Sequence, residues 1–278
     1  MTDPLEKVAA LMNRPEVWDF AGARELLAGV DIGTYKTSLI VVDEAGRPRA
    51  GLMRRAEVVR SGLIVDYVGA LNLVRELVAE VRARSPLPLA KGATAYPPQT
   101  ESGNIHTTRY ILESVGLEVQ NVLDEPSAAN QVLQMKRGAI VDVGGGTTGV
   151  AVIKNGRIVH TDDEATGGLH LTLVLAGGLK VGFEEAERIK ADRSRRREVL
   201  ALVRPVLDKI STIVAGVLRG RPEADRLCLV GGTTELEGLT EIVGQSVGLE
   251  AFRPAFPQMI TPLGIALSGL EGNGHRSG

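Results

Sequence analysis

Apolar and polar positions along the chain fall into short periodic blocks. Leu5, Val8, Leu11 and Met12 recur at helical spacing, and residues 23–27 continue that pattern after Pro15. Residues 1–27 therefore read as a helical N-terminal extension, either a surface helix or a handle for a partner. Apolar runs at 29–32 and 38–42 read as strands around a glycine turn, and Ala45-Gly46 marks the next turn. Val68, Leu71, Val74, Leu77, Val78 and Val81 share one face of a helix predicted over residues 67–83. Pro86 and Pro88 end it. A short strand at 93–96, a helix at 107–115 stopped by Gly116, and a strand at 118–123 follow. Pro126, at a first helical turn, opens a helix to about Met135.

The pattern then starts again. Residues 139–143 form an apolar strand before Gly144, Gly145 and Gly146, and 150–153 is its partner strand. Asn155-Gly156 predicts a hairpin into residues 157–161. Residues 183–190 and 198–218 read as helices, and 227–230 as a buried strand ending at Gly231-Gly232. Thr234 and Glu237 have capping-box spacing for a helix that stops near Gly248. Val30-Asp31-Ile32-Gly33 and Val141-Asp142-Val143-Gly144 are offset by 111 residues. Both run strand, Asp-x-Gly turn, threonine, apolar strand, hairpin. Two such halves predict an α/β protein with a ligand between them.

Composition narrows the function. The chain has 278 residues, 44% hydrophobic and 24% charged, which excludes disorder as its main state. A net charge of −2 supplies no basic field for nucleic acid or acidic lipid. A single cysteine, Cys228, excludes an internal disulfide framework and a cysteine-rich zinc site. Residues 254–270, the longest uncharged stretch, carry three prolines, which argues against a membrane span. The first residues hold acids where a signal peptide holds a basic head, so the expected compartment is cytoplasmic. Glycine stands out, at 33 of 278 residues. Its placement asks where backbone turns tightly or approaches a ligand.

Three glycine turns answer that. In DIGTYKTS, Asp31 ends a strand and Gly33, Thr34, Tyr35 and Lys36 follow. Successive backbone N–H groups in such a turn form an anion nest, with hydroxyls and a lysine beside it. Asp31 repels a phosphate directly but suits one bridged by hydrated Mg²⁺. A plain β-hairpin with a glycine bend is the competing reading. DVGGGTT is more specific: Asp142 precedes Gly144, Gly145 and Gly146, which carry no Cβ, so backbone can close on phosphate oxygens near Thr147 and Thr148. VGGTT places Gly231, Gly232 and Thr233 at a strand-to-helix junction, where backbone can lie against a nucleoside, although this junction also closes many α/β units. Glu125, before Pro126, either positions water or partners a helix dipole. No P-loop and no G-x-S-x-G elbow are present, and His106, His160, His170 and His275 lack ligand spacing. Arg193, Arg195, Arg196 and Arg197 read as a solvated basic face.

In this order the motifs resemble the actin-like ATPase superfamily of heat-shock chaperones, bacterial actins and sugar kinases. The resemblance covers residues 29–268 and rests on DIGT at Asp31, EPSAA at Glu125, DVGGGTT at Asp142, AERIK at Ala186 and LVGGTTELEGL at Leu229. VVRSGLIVDYVGA at Val58 and AYPPQT at Ala95 are most similar to the EutJ family of ethanolamine utilization, described as chaperone-like components of operons that build bacterial microcompartments. The implied fold is a two-lobed, ribonuclease H-like α/β fold without large inserted subdomains. Its expected division is a first lobe over residues 28–136 with a return at about 258–270, a second lobe over 137–257, and a flexible tail at 271–278. A separate peptide-binding domain is not expected.

The implied cofactor is ATP or ADP with Mg²⁺. Gly33, Thr34, Tyr35 and Lys36, with Gly144, Gly145, Gly146 and Thr147, would grip phosphates. Asp31 and Asp142 would hold Mg²⁺ through water, and Glu125 would stand near the attacking water; these three are the catalytic candidates. Gly231, Gly232 and Thr233 would line the nucleoside pocket, which Glu187 and Lys190 would face. The implied role is a nucleotide switch acting on a protein client or microcompartment component, with no nucleic-acid or membrane partner. The chain departs from the chaperones at Tyr35 (threonine there), Gly149 (a carboxylate there) and Glu235 (an adenine-stacking arginine there). Their catalytic lysine has no match, with Lys36 and Arg60 as stand-ins. Lost donors predict slow hydrolysis. A nucleotide-dependent filament or scaffold and a small-molecule kinase are the alternatives.

Overall fold

The computed structural model describes residues 3–60, 62–98, 100 and 102–271. The chain forms two compact units, Met1–Gln134 with Gln258–Gly278, and Met135–Pro257. Residues 272–278 of the expected tail lie outside the described residues.

The first unit opens with α1 (Pro4–Leu11), which Asp3 caps and which buries Leu5, Val8 and Leu11. Then come β1 (Leu26–Ile32), β2 (Lys36–Asp43), β3 (Pro48–Arg55) and a small hairpin, β4 (Val59–Arg60) with β5 (Leu63–Ile64). Next are α2 (Tyr67–Arg82), β6 (Lys91–Tyr96), α3 (Ser102–Ser114), β7 (Glu118–Asp124) and α4 (Glu125–Leu133). The sheet order is β3-β2-β1-β6-β7, with β1 antiparallel to β2 and parallel to β6. The helical pattern expected over residues 23–27 yields to strand from Leu26. Leu26 and Leu27 are both buried, paired with Asp43 and Val42, and a strand buries both of its faces here where a helix buries one stripe. Helix α2 buries Ala70, Val74, Leu77, Val78 and Val81, whereas Val68, expected on that face, is 65% exposed. Helix α4 ends at Leu133 because Gln134 turns left-handed.

The second unit repeats the plan: β8 (Arg137–Val143), β9 (Thr148–Lys154), β10 (Arg157–Glu164), α5 (Gly168–Leu179), α6 (Phe183–Ala191), α7 (Arg196–Leu218), β11 (Arg226–Val230), α8 (Leu239–Val247) and β12 (Glu250–Phe252). The order β10-β9-β8-β11-β12 and every strand direction match the first sheet. Asn155 and Gly156 both take positive φ, as a two-residue hairpin of this hand requires. The capping box expected at Thr234 and Glu237 does not form. Gly232–Glu235 is a 3₁₀ turn, the Thr234 hydroxyl donates to the Gly231 carbonyl, and Glu237 pairs with Arg193 and Arg196. Helix α8 starts later, after Gly238, whose φ is +98°. Arg195 pairs with Glu198 at 2.8 Å. The chain then returns to the first unit as α9 (Ile260–Glu271), packed on β1 and α4.

Cys228 on β11 is buried, and burial pushes its thiol up to about 12. At pH 8 its thiolate fraction is then on the order of one in ten thousand. The folded chain is expected to resist an aromatic disulfide reagent and to release one thiol equivalent only on unfolding. Prompt reaction of the folded chain would contradict that burial. No helix among the described residues is long and apolar enough to cross a membrane.

Candidate functional site

In each unit a parallel strand pair brings its motifs to one sheet edge. Asp142 on β8 pairs with Val230 on β11, so the turn after β8 and the Gly231-Gly232 turn leave neighbouring strands at their carboxyl ends. The Gly144 N–H donates to the Thr147 carbonyl at 3.0 Å and closes the first of these turns. The Gly144 carbonyl accepts from the Gly168 N–H at 2.9 Å and from the Thr233 hydroxyl at 2.7 Å. The Gly145 carbonyl accepts from the Leu169 N–H at 2.8 Å. Three glycine-bearing segments thus interlock, two of them expected and one, Gly167-Gly168 at the start of α5, not foreseen. A Cβ on Gly167 would lie 2.7 Å from the Gly144 oxygen, and one on Gly231 would lie 2.5 Å from the Val143 oxygen and run into Asp142 Oδ1. Only glycine lets these backbones meet.

Glu187 and Lys190 on α6 reach the first turn of α5. Lys190 Nζ donates to Thr172 Oγ1 and Glu187 Oε1, both at 2.6 Å, and to the Gly168 carbonyl at 3.2 Å. Thr172 also bonds Glu187. Burial pushes the Lys190 ammonium down, against the Glu187 carboxylate, which raises it. The two candidates therefore brace the Gly168 junction, and Thr172 joins them unforeseen.

Asp163 on β10 is a third unforeseen member. The Thr147 side chain lies near enough to favour its charged form, but its Oδ1 is buried and accepts no hydrogen bond. Burial pushes its carboxyl up to about 7; Thr147 pulls it down, while Asp142, Asp162 and Glu164 add to the rise. An unmet buried oxygen amid surplus negative charge suits a hydrated divalent cation. Among the described residues no group of three or more His, Cys, Asp and Glu side chains could hold a metal ion directly.

The first unit carries the parallel turn. The Gly33 N–H donates to the Lys36 carbonyl at 3.0 Å, and Asp31 faces Ser38 across the β1–β2 ladder. Thr34 and Tyr35 lie within that turn. The Tyr35 carbonyl accepts from the Ala56 N–H at 3.0 Å, and the Arg55 guanidinium sits over the Tyr35 ring, 5.2 Å from its centre. Lys36 Nζ donates to Gln258 Oε1 at 3.0 Å. Arg60 is exposed on β4. Because β1, β6 and β7 are parallel, Glu125 at the start of α4 stands on the same sheet edge as the Gly33 turn. Asp124, not Glu125, caps α4, accepting from the Ser127 N–H at 2.9 Å and its hydroxyl at 2.6 Å.

Two five-stranded sheets of one topology, each with a glycine turn behind an acidic strand end, define an actin-like ATPase fold. Residues 45–192 match the MreB/Mbl protein family model and residues 139–267 that of cell division protein FtsA. MreB5 of Spiroplasma citri, in a crystal structure bound to ADP, superposes with a TM-score of 0.75 at 14% identity, covering 92% of this chain and 99% of that one. The ethanolamine utilization protein EutJ of Escherichia coli (strain K12) is 38% identical over 98% of this chain and 95% of its own length. The crystal structure of EutJ from Carboxydothermus hydrogenoformans has a TM-score of 0.88 at 43% identity, covering 95% of this chain and 97% of that one. The chain belongs to the EutJ family of ethanolamine utilization proteins.

Proposed function

We propose that this chain binds ATP and ADP with Mg²⁺ and works as a chaperone-like nucleotide switch in ethanolamine utilization, its partner a protein client or microcompartment component. The interlocked carbonyl of Gly144 carries the reading. It fixes the Gly144–Thr147 turn with its remaining backbone available to phosphate oxygens, beside a nucleoside wall of Gly231, Gly232 and Thr233. Glu187 and Lys190 stiffen that wall through Gly168. In the first unit, Gly33, Thr34, Tyr35 and Lys36 form a turn of the same closure and are assigned the same ligand class. Asp31 and Asp142 act on Mg²⁺ through water, and Glu125 orients water at the terminal phosphate. When bound, Mg²⁺ supplies charge neutralisation on the phosphate oxygens. MreB5 with ADP, and in a second crystal structure with AMPPNP, supports nucleotide as the ligand class.

The switch reading requires ATP and ADP to favour different conformations. Hydrogen exchange of the full chain with each nucleotide tests it; identical protection patterns in both would oppose it. Asp142→Ala is expected to weaken Mg-ATP about tenfold or more, as loss of a residue that orients the metal's water shell does. Glu125→Ala is expected to slow hydrolysis more than it weakens binding. Calorimetry and phosphate release separate the two, and equal effects on both quantities in both variants would contradict the assigned roles. The MreB/Mbl match favours a second reading, a nucleotide-dependent filament, which needs heterologous head-to-tail surfaces. Sedimentation with Mg-ATP decides it: a chain that stays in the supernatant at high concentration excludes the filament.

A further inference from the structure

Asp142 on β8, Gly149 on β9 and Asp163 on β10 are successive register partners across three strands. Directly opposed residues in antiparallel strands project from the same sheet face. The row therefore presents two carboxylates from one face, with no side chain between them. Two strand spacings separate the outer backbones by roughly 10 Å. A side chain at position 149 would fill that gap. Asp163 meets both sides of it: it lies close enough to Thr147, the last residue of the glycine turn, for that side chain to favour its charged form, and close enough to feel the charge of Asp142. Its Oδ1 is buried and accepts nothing from the protein. Buried carboxylate oxygens are ordinarily satisfied, so this one is arranged for a donor the protein does not supply.

We propose that Asp163 is a positioning residue of the phosphate turn, holding the Thr147 hydroxyl and joining Asp142 as a carboxylate pair that faces the water shell of nucleotide-bound Mg²⁺. This rests on the nucleotide reading given above. It also accounts for a glycine at the second position of β9, within a strand whose propensity disfavours one.

The test uses the full chain, with AMPPNP affinity measured by calorimetry in Mg²⁺ and in EDTA, and Mn²⁺ binding to the AMPPNP complex followed by the loss of the free-ion EPR signal. Asp163→Asn keeps the shape and a hydrogen-bonding group. It is expected to hold the EDTA affinity within about twofold while losing about tenfold of the gain from Mg²⁺, with Mn²⁺ weakened in step. A role in packing alone would lower both affinities together. Asp163→Asn combined with Gly149→Asp returns a carboxylate to the same row and is expected to recover part of the metal dependence. An Asp163→Asn chain with the parent's Mg²⁺-to-EDTA ratio, or with equal losses in both, overturns the inference. A parent that binds AMPPNP equally with and without Mg²⁺ overturns it too while leaving nucleotide binding standing. A parent that binds no nucleotide overturns both.

Discussion

Gly231→Ala is expected to lower the stability of the second unit by about 3 kcal/mol and to remove nucleotide binding at concentrations that saturate the parent. Two costs add. Gly231 has φ +87° and ψ 155°, a region essentially reserved for glycine, which costs a side chain about 1–3 kcal/mol. The new methyl also meets the Val143 carbonyl oxygen at 2.5 Å and presses on Asp142. Relief requires β8 or the 3₁₀ turn to move, at a further 1–3 kcal/mol or so. Either movement breaks the Thr233 bond to Gly144 and opens the turn. Gly220→Ala is the matched control, since Gly220 also has positive φ, +73°, but has no neighbour within 4 Å of an added Cβ. It is expected to cost about 1 kcal/mol and to leave binding alone. Thermal melts and calorimetry on both variants check this, and equal behaviour would contradict the close-approach account.

Asp43→Asn is expected to destabilise the first unit by about 3 kcal/mol. Its carboxylate closes the β2–β3 hairpin, accepting from the Ala45 and Arg47 N–H groups and from both Arg47 and Arg49 guanidinium groups at 2.7 Å. The side chain is fully covered, yet Arg47 above it is half exposed, so the site is shallow and the lower end of the buried-pair range applies. Burial by itself would raise the Asp43 carboxyl, but the hydrogen bonds of Arg47, Arg49 and Ala45 outweigh it and hold the group below 3.8. The contribution is therefore present above the unfolded value near 3.8 and is lost as pH falls through the lower folded value. Melting midpoints of parent and variant should differ at pH 7 and draw together as the pH falls below 3.8. A difference that stays constant into acid would contradict the charge argument.

The glycine spacing and the repeated Asp-x-Gly pattern announced the fold, because glycine in these turns answers to backbone geometry that any member of the fold must build. The 111-residue echo between Asp31 and Asp142 is a repeated five-stranded topology with the same turn closure. What escaped depends on partners distant in sequence. Leu26 and Leu27 read as helix because their spacing is ambiguous until β2 is beside them. Helix α5 is apolar on nearly every side and contains Gly177 and Gly178, so it shows no stripe. Asp163 looks like one acid among three on an edge strand, and only the register across Gly149 aims it at the turn. Gly167-Gly168 did leave a signal, a glycine pair between a strand and an apolar run. Its meaning came from the Gly144 and Gly145 carbonyls that it meets.

The repeated architecture is elaborated differently in its two halves. The second unit has three interlocked glycine segments, a braced helix start and a row of carboxylates. The first has a single turn, with Arg55 laid over Tyr35 beside it. On the proposed function, removing the interlock of the second unit is expected to cost more nucleotide affinity than altering the turn of the first.

The most direct test is a calorimetric titration of the full chain with ADP and with AMPPNP, each in Mg²⁺ and in EDTA, with Asp142→Ala alongside. Saturable binding of both nucleotides, stronger in Mg²⁺ than in EDTA and with that difference reduced in Asp142→Ala, is the predicted result. Absence of saturable binding by the parent at millimolar nucleotide in Mg²⁺ would contradict it.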